Sequence, residues 1–172
     1  MNIHNDILMI RAMEPTDLDV LYRWENNAEL WHTSATITPF SRKQLWDYIE
    51  NYDGDIFRTH QLRLMIEEIS TKRVVGTLDM FDFDPVNCRA SVGILVDKEF
   101  QGQGYGKNAL NLFEGYCREH LSLNQLVATV SIENEPSISL FRSLGYNEVG
   151  IMKWWLKRGH RYCDAILFQK RI

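Results

Sequence analysis

Three glycines alternate with other residues in Gln101-Gly102-Gln103-Gly104-Tyr105-Gly106-Lys107, four residues after the apolar run Ile94-Leu95-Val96. Glycine lets backbone N–H groups come close to a ligand and accepts positive φ. A helix starting at the end of such a loop adds unpaired donors and about half a positive charge. Strand, glycine loop and helix start together make an anion site suited to a pyrophosphate. A P-loop, GxxxxGK followed by Ser or Thr, is excluded because Asn108 follows Gly106-Lys107 and position 101 is not glycine. A Rossmann GxGxxG near a first strand is excluded too, since the spacing here is GxGxG in mid-chain. The spacing that fits is Q/R-x-x-G-x-G/A, through Gln101, Gly104 and Gly106. The glycines alone would also suit a loop that binds nothing.

Some 28 residues past Gly106 comes Asn134-Glu135-Pro136-Ser137-Ile138-Ser139-Leu140-Phe141-Arg142-Ser143-Leu144-Gly145-Tyr146. With both segments in view, the chain resembles the GNAT superfamily of acyl-CoA-dependent N-acetyltransferases. That family pairs a Q/RxxGxG loop with N-x-x-S/A-x-x-L-Y-x-x-x-G-F one strand later. Within it, the chain looks most like the branch containing ribosomal-protein and polyamine acetylases. The resemblance implies acetyl-CoA as co-substrate, no metal, and direct attack by a primary amine. It places Ile94, Leu95 and Val96 beside the pantetheine arm, like an added strand. It places the pyrophosphate on Gly102, Gln103, Gly104, Tyr105, Gly106 and Lys107, after Gln101. Asn134 matches the family asparagine that contacts the cofactor, and Ser137 lies one turn on.

Two departures stand out. The tyrosine that serves such enzymes as general acid is Phe141 here, and a glutamate found in some relatives five residues before the asparagine is Thr129. Protonating a departing thiolate of pKa near 8.5 offers about 2 kcal/mol at neutral pH, whereas deprotonating an alkylammonium costs about 4.6 kcal/mol. Losing the acid therefore slows an enzyme without abolishing it, and an active enzyme is expected. A non-catalytic acyl-CoA-binding sensor or subunit is the alternative that Phe141 and Thr129 leave open. Asp79 is the candidate base, acting directly or through water, against the plainer reading of an exposed strand aspartate.

The elements that must position these residues follow from periodicity. Residues 7–10 read as a strand, and a helix follows Glu14-Pro15-Thr16-Asp17. Ser41-Arg42-Lys43-Gln44 has capping-box spacing and opens a second helix. Strands over 62–69, 74–81 and 90–96 form an antiparallel meander, because their connections are short. A helix after Gly106 carries Leu110, Phe113 and Cys117 on one side. A strand over 126–132, a helix over 136–144 ended by Gly145, and a hairpin of 146–155 with 161–170 complete the chain. The class is α+β: one GNAT-like domain over 1–172, with a mixed, mostly antiparallel twisted sheet flanked by helices. The β-α-β unit at its centre is parallel, and the family resemblance implies that this strand pair is splayed.

Composition bounds the rest. A chain of 172 residues, 45% hydrophobic and 24% charged, is an ordinary single domain, neither disordered nor disulfide-stapled. A net charge of −4 supplies no field to recruit nucleic acid. Three cysteines without CxxC spacing, no basic leader and no apolar run of roughly 18 residues point to a cytoplasmic protein that neither crosses nor binds a membrane. Dimers are frequent among such acetyltransferases, so a homodimer is an expected state that no residue here fixes.

On the acceptor side, residues 14–55 hold nine acidic groups against three basic ones. Such a wall would attract a cationic amine such as a polyamine, with a protein N-terminus the next choice. Solvated helix faces explain the same excess without a ligand. Glu29 and Trp31, between the first two helices, are candidate acceptor contacts, Trp31 by cation–π attraction. Adjacent Trp154 and Trp155 should point to opposite sides of a strand, one of them into the core, and most of the five tryptophans should be core.

Overall fold

The computed structural model describes residues 3–31 and 38–172, the side chain of residue 31 excepted. Strands β1 (Ile3–His4) and β2 (Leu8–Arg11) lead through a 3-10 turn, Pro15–Asp17, into α1 (Leu18–Glu25) and the short α2 (Ala28–Trp31). Helix α3 (Arg42–Glu50) starts on the expected capping box: Gln44 N–H donates to Ser41 Oγ at 3.2 Å, and Ser41 N–H to Gln44 Oε1 at 2.8 Å. After α4 (Ile56–Thr59) the chain forms the meander β3 (Leu62–Glu68), β4 (Val74–Asp84) and β5 (Arg89–Val96). Then come α5 (Tyr105–Glu119), β6 (Gln125–Ser131), α6 (Glu135–Ser143) and the hairpin β7 (Asn147–Arg158) with β8 (Arg161–Arg171). The sequence pattern missed β1, α2 and α4, which are too short to show a period.

Among the described residues, eight strands form one sheet in the order β1-β2-β3-β4-β5-β6-β8-β7, in which β5 and β6 alone run parallel. Strand alternation divides the apolar residues between two faces. Leu64 and Ile66 of β3 join the main core with Ala109, Leu110, Phe113 and Cys117 of α5, while Met65 between them packs with Leu21, Trp24 and Ile49 of α1 and α3. Helix α6 adds Ile138 and Phe141 to the main core and ends at Gly145, whose φ of 81° is the left-handed conformation glycine adopts readily. All three cysteines are free thiols, and among the described residues no helix is long and apolar enough to cross a membrane.

The tryptophan reading needs correction. Trp154 is 77% exposed and Trp155 59% exposed, so neither reaches the core. The alternation fails because the β7–β8 register slips between Met152 and Leu156, with Trp154 at φ 52°. Asp164 pins this bulge, accepting from Trp154 N–H at 2.9 Å and from Lys153 Nζ at 2.7 Å. Trp24 is buried, but Trp46 is exposed as well. With Val149 and Ile151 also exposed, β7 presents an apolar sheet edge.

The feature that matters for chemistry is how little β5 and β6 share. They pair only at Arg89↔Gln125, Ala90↔Leu126 and Ser91↔Val127. Beyond that point β5 stays bonded to β4 as far as Gly76↔Val96, and β6 to β8 as far as Ser131↔Ala165. A slot therefore opens between two strands that are each held from behind. Gly76 permits the tight β4–β5 approach: a Cβ there would lie 2.2 Å from the Leu95 carbonyl oxygen. Gly76→Ala should push β5 toward the slot and cost about 1–3 kcal/mol. A lower melting temperature together with weaker acetyl-CoA binding by calorimetry is the expected result, and unchanged values for both would contradict it.

Candidate active site

The turn out of β5 is built by its own side chains. After a 3-10 turn at Lys98–Phe100, Gln101 Nε2 donates back to the Val96 carbonyl at 2.9 Å, and Gln103 Nε2 to the Glu99 carbonyl at 2.9 Å. Tyr105 donates its hydroxyl to Glu68 and sets its ring edge-on against Phe100 at 5.9 Å. Gly102 and Gly104 take φ of 74° and 83°. Gly104 is the residue on which α5 starts, so the first amides of that helix have no intrahelical acceptor. A Cβ on Gly106 would come within 3.3 Å of Leu140 Cδ2 and 3.5 Å of Val96 Cγ2, so glycine lets the helix begin hard against β5 and α6.

These groups line a cavity of about 600 Å3. Of the nominated cofactor residues, Ile94, Leu95, Val96, Gln101, Gly102, Gly104, Tyr105, Gly106, Lys107, Asn134 and Ser137 all face it, while Gln103 shapes the loop from outside. Asn134 starts α6, its Oδ1 accepting from Ser137 N–H at 3.2 Å. The cavity offers side-chain-free positions and helix-start amides suited to an anion, and the edge of β5.

A second cavity, about 670 Å3, lies across the slot between α1, α3 and β4 on one side and β6, α6 and β7 on the other. Ile94, Leu95, Ser131, Asn134, Ser137 and Arg158 line both cavities, so the two meet at the slot. In the second cavity Arg63 donates from Nε to Asp79 at 2.6 Å and from Nη1 to Glu25 at 3.0 Å. Burial opposes the charge on Arg63, but Asp79 and Glu25 outweigh it and hold the guanidinium above its ordinary pKa. Burial also pushes the nearby Tyr48 hydroxyl up to about 12, against the pull of Arg63. Asp97, at the end of β5, accepts from Arg23 Nη2 at 2.5 Å and from Trp24 Nε1 at 2.8 Å, tying α1 to the cofactor strand.

Phe141 lines the second cavity by one edge but is only 3% exposed. Its ring meets Tyr146 edge-on at 5.0 Å and stacks on Phe168 at 5.8 Å. Asp79 lines the same cavity as an ion-paired carboxylate, and Thr129 sits on its far wall. Glu29 is exposed, paired with Lys98 at 3.3 Å, and lines neither cavity. The side chain of Trp31 lies outside the described residues. The acidic excess of 14–55 is largely matched: Asp17 by Arg11, Asp19 by Arg42, Glu25 by Arg63, Asp47 by Lys43 and Asp53 by Arg58, in addition to Glu29. Several of those bases come from outside the segment, which no count along the chain registers.

Arg158 was not singled out by the sequence. It ends β7 at the hairpin and reaches the meeting point of the two cavities, where its Nε is buried with no hydrogen-bond partner. A buried donor left unpaired costs about 1–3 kcal/mol. The neighbouring Arg161 clamps the hairpin to the β6–α6 loop through Glu133, at 2.6 and 3.3 Å.

Comparison with known proteins agrees with this geometry. Residues 8–147 match the acetyltransferase (GNAT) domain model, and the chain belongs to that family of acetyl-CoA-dependent N-acetyltransferases. It is 29% identical to an uncharacterized N-acetyltransferase p20 of Bacillus licheniformis, covering 96% of this chain and 93% of that one. It is 27% identical to the spermidine N(1)-acetyltransferase of Escherichia coli strain K12, covering 91% and 82% respectively. Its fold matches spermidine N-acetyltransferase from Vibrio cholerae, solved in complex with CoA and spermine. That match has a TM-score of 0.82 at 23% identity and covers 97% of this chain and 96% of the other.

Two substitutions probe the site. Gly104→Val places a β-branched side chain at φ 83° and over the helix-start amides, and should abolish acetyl-CoA binding by calorimetry. Undiminished binding would remove that loop from the cofactor site. Phe141→Tyr should hold or raise turnover, by no more than about 30-fold given the 1.5-unit gap between a thiol and neutral pH. Loss of turnover with a fall in melting temperature would place the para carbon in the core.

Proposed function

We propose that the chain acetylates the primary amine of a small acceptor held in the second cavity, with no covalent enzyme intermediate. The observation that carries this reading is the meeting of the two cavities at the unpaired edge of β5. A thioester lying along that edge would expose its carbonyl carbon to a nucleophile entering from the other side of the sheet.

In this reading the free N–H groups of β5 polarise the thioester carbonyl, and the amides at the start of α5 bind the pyrophosphate. The ammonium loses one proton, and its lone pair attacks the carbonyl carbon. As the C–N bond forms and the C–S bond breaks, the electron pair leaves on sulfur, the nitrogen gives up a second proton, and the thiolate takes one up. Asp79 orients the ammonium and passes its proton to water. No tyrosine acid stands at position 141, so protonation of the thiolate also falls to solvent.

The named spermidine acetyltransferases among the relatives support a small amine over a protein N-terminus. The charge argument for a polycation is weaker than the sequence suggests, because most carboxylates of the helical wall are already paired. A homodimer, where one forms, is assigned to the apolar edge of β7.

Thiol release from acetyl-CoA should be followed with polyamines, amino sugars, amino acids and N-terminal peptides. Release with a small-amine class is the expected result. Release with peptides alone, or silence across the panel while calorimetry shows acetyl-CoA bound, would overturn the reading.

A further inference from the structure

The second cavity is electrically balanced. Among the described residues its charged groups are Glu25, Asp79, Arg63 and Arg158. Among the described residues Arg63 pairs with both carboxylates, so the α1–β4 side of the lining holds two acidic groups to one basic group. Arg158 stands on the opposite side, at the slot, with a buried Nε donor that no described residue accepts. A polyamine carries positive charge only, and would set an ammonium in the same enclosed space as an unneutralised guanidinium. An acceptor with separated charges meets both sides at once.

We propose that the acceptor is a small amino carboxylic acid, its ammonium held by the Glu25–Arg63–Asp79 group and its carboxylate taken by Arg158. This rests on the acetyl-transfer reading above and narrows its substrate class. The guanidinium fork suits a carboxylate, with two parallel N–H donors for two oxygens. Arg158 also has a fixed base, because Arg161 and Glu133 hold its hairpin against the β6–α6 loop. The chemistry is unchanged: the amine nitrogen becomes an N-acetyl amide, CoA leaves as the thiol, and the carboxylate stays intact as the handle.

The test uses matched acceptors: glycine, β-alanine, lysine and glutamate, each beside its methyl ester, with spermidine as the cationic reference. The free acids should exceed their esters in kcat/KM by about tenfold or more for at least one pair. Arg158→Ala should erase that preference by raising the acceptor KM about tenfold, with the acetyl-CoA KM unchanged, and Arg158→Lys should restore part of it. Circular dichroism and acetyl-CoA calorimetry on both variants separate this from misfolding. Turnover of esters or spermidine in preference to the acids overturns the inference but leaves acetyl transfer standing. A rise in acetyl-CoA KM common to every acceptor also overturns it, by assigning Arg158 to the cofactor. Silence with every amine overturns acetyl transfer and the inference together.

Discussion

Two neighbouring parallel strands that stop sharing hydrogen bonds after three pairs are the constraint on which the molecule is built. Backbone donors and acceptors on an open strand edge carry a cost unless something pairs with them. The cost is tolerable here because β5 is bonded along its other edge to β4, and β6 likewise to β8, so neither strand can fray into the gap. Both helix starts then fall at the slot, α5 from the end of β5 and α6 from the end of β6. The position of the anion site is therefore a consequence of the parting of the strands.

The two sides of the sheet handle charge differently. Around the pyrophosphate loop, side chains are occupied with holding the loop's shape: Gln101 on Val96, Gln103 on Glu99 and Tyr105 on Glu68. In the proposed reading, recognition there would be left to backbone amides, which cannot rotate away or change protonation state. In the second cavity side chains face the open space, and one guanidinium shared between two carboxylates fixes their geometry. That contrast separates a site for one fixed donor from a site whose specificity can differ between relatives.

Much of this could be read from the chain. The two motifs are local: glycine loop and helix start are contiguous, the second motif is another contiguous helix start, and spacing together with the family resemblance picked out both. The main elements were legible for the same reason, since α5 and the meander carry strong periods. What escaped was non-local. The Arg63 link between α1 and β4, and Arg158 arriving from a hairpin near the end of the chain, join residues far apart in sequence. The Trp154–Trp155 reading failed on a register slip, which alternation in one strand cannot reveal because it depends on the partner strand.

Asp97 closes β5 and grips α1 through Arg23 and Trp24. The strand beside the first cavity and the helix that walls the second are therefore joined through one carboxylate. On the proposed reading the consequence is thermodynamic linkage across the slot: a ligand that settled the strand would also settle the wall. Because coupling between two binding equilibria is reciprocal, the donor sharpens affinity for the acceptor by the same factor as the acceptor sharpens affinity for the donor. One carboxylate is thus the link through which two adjoining cavities would be coupled.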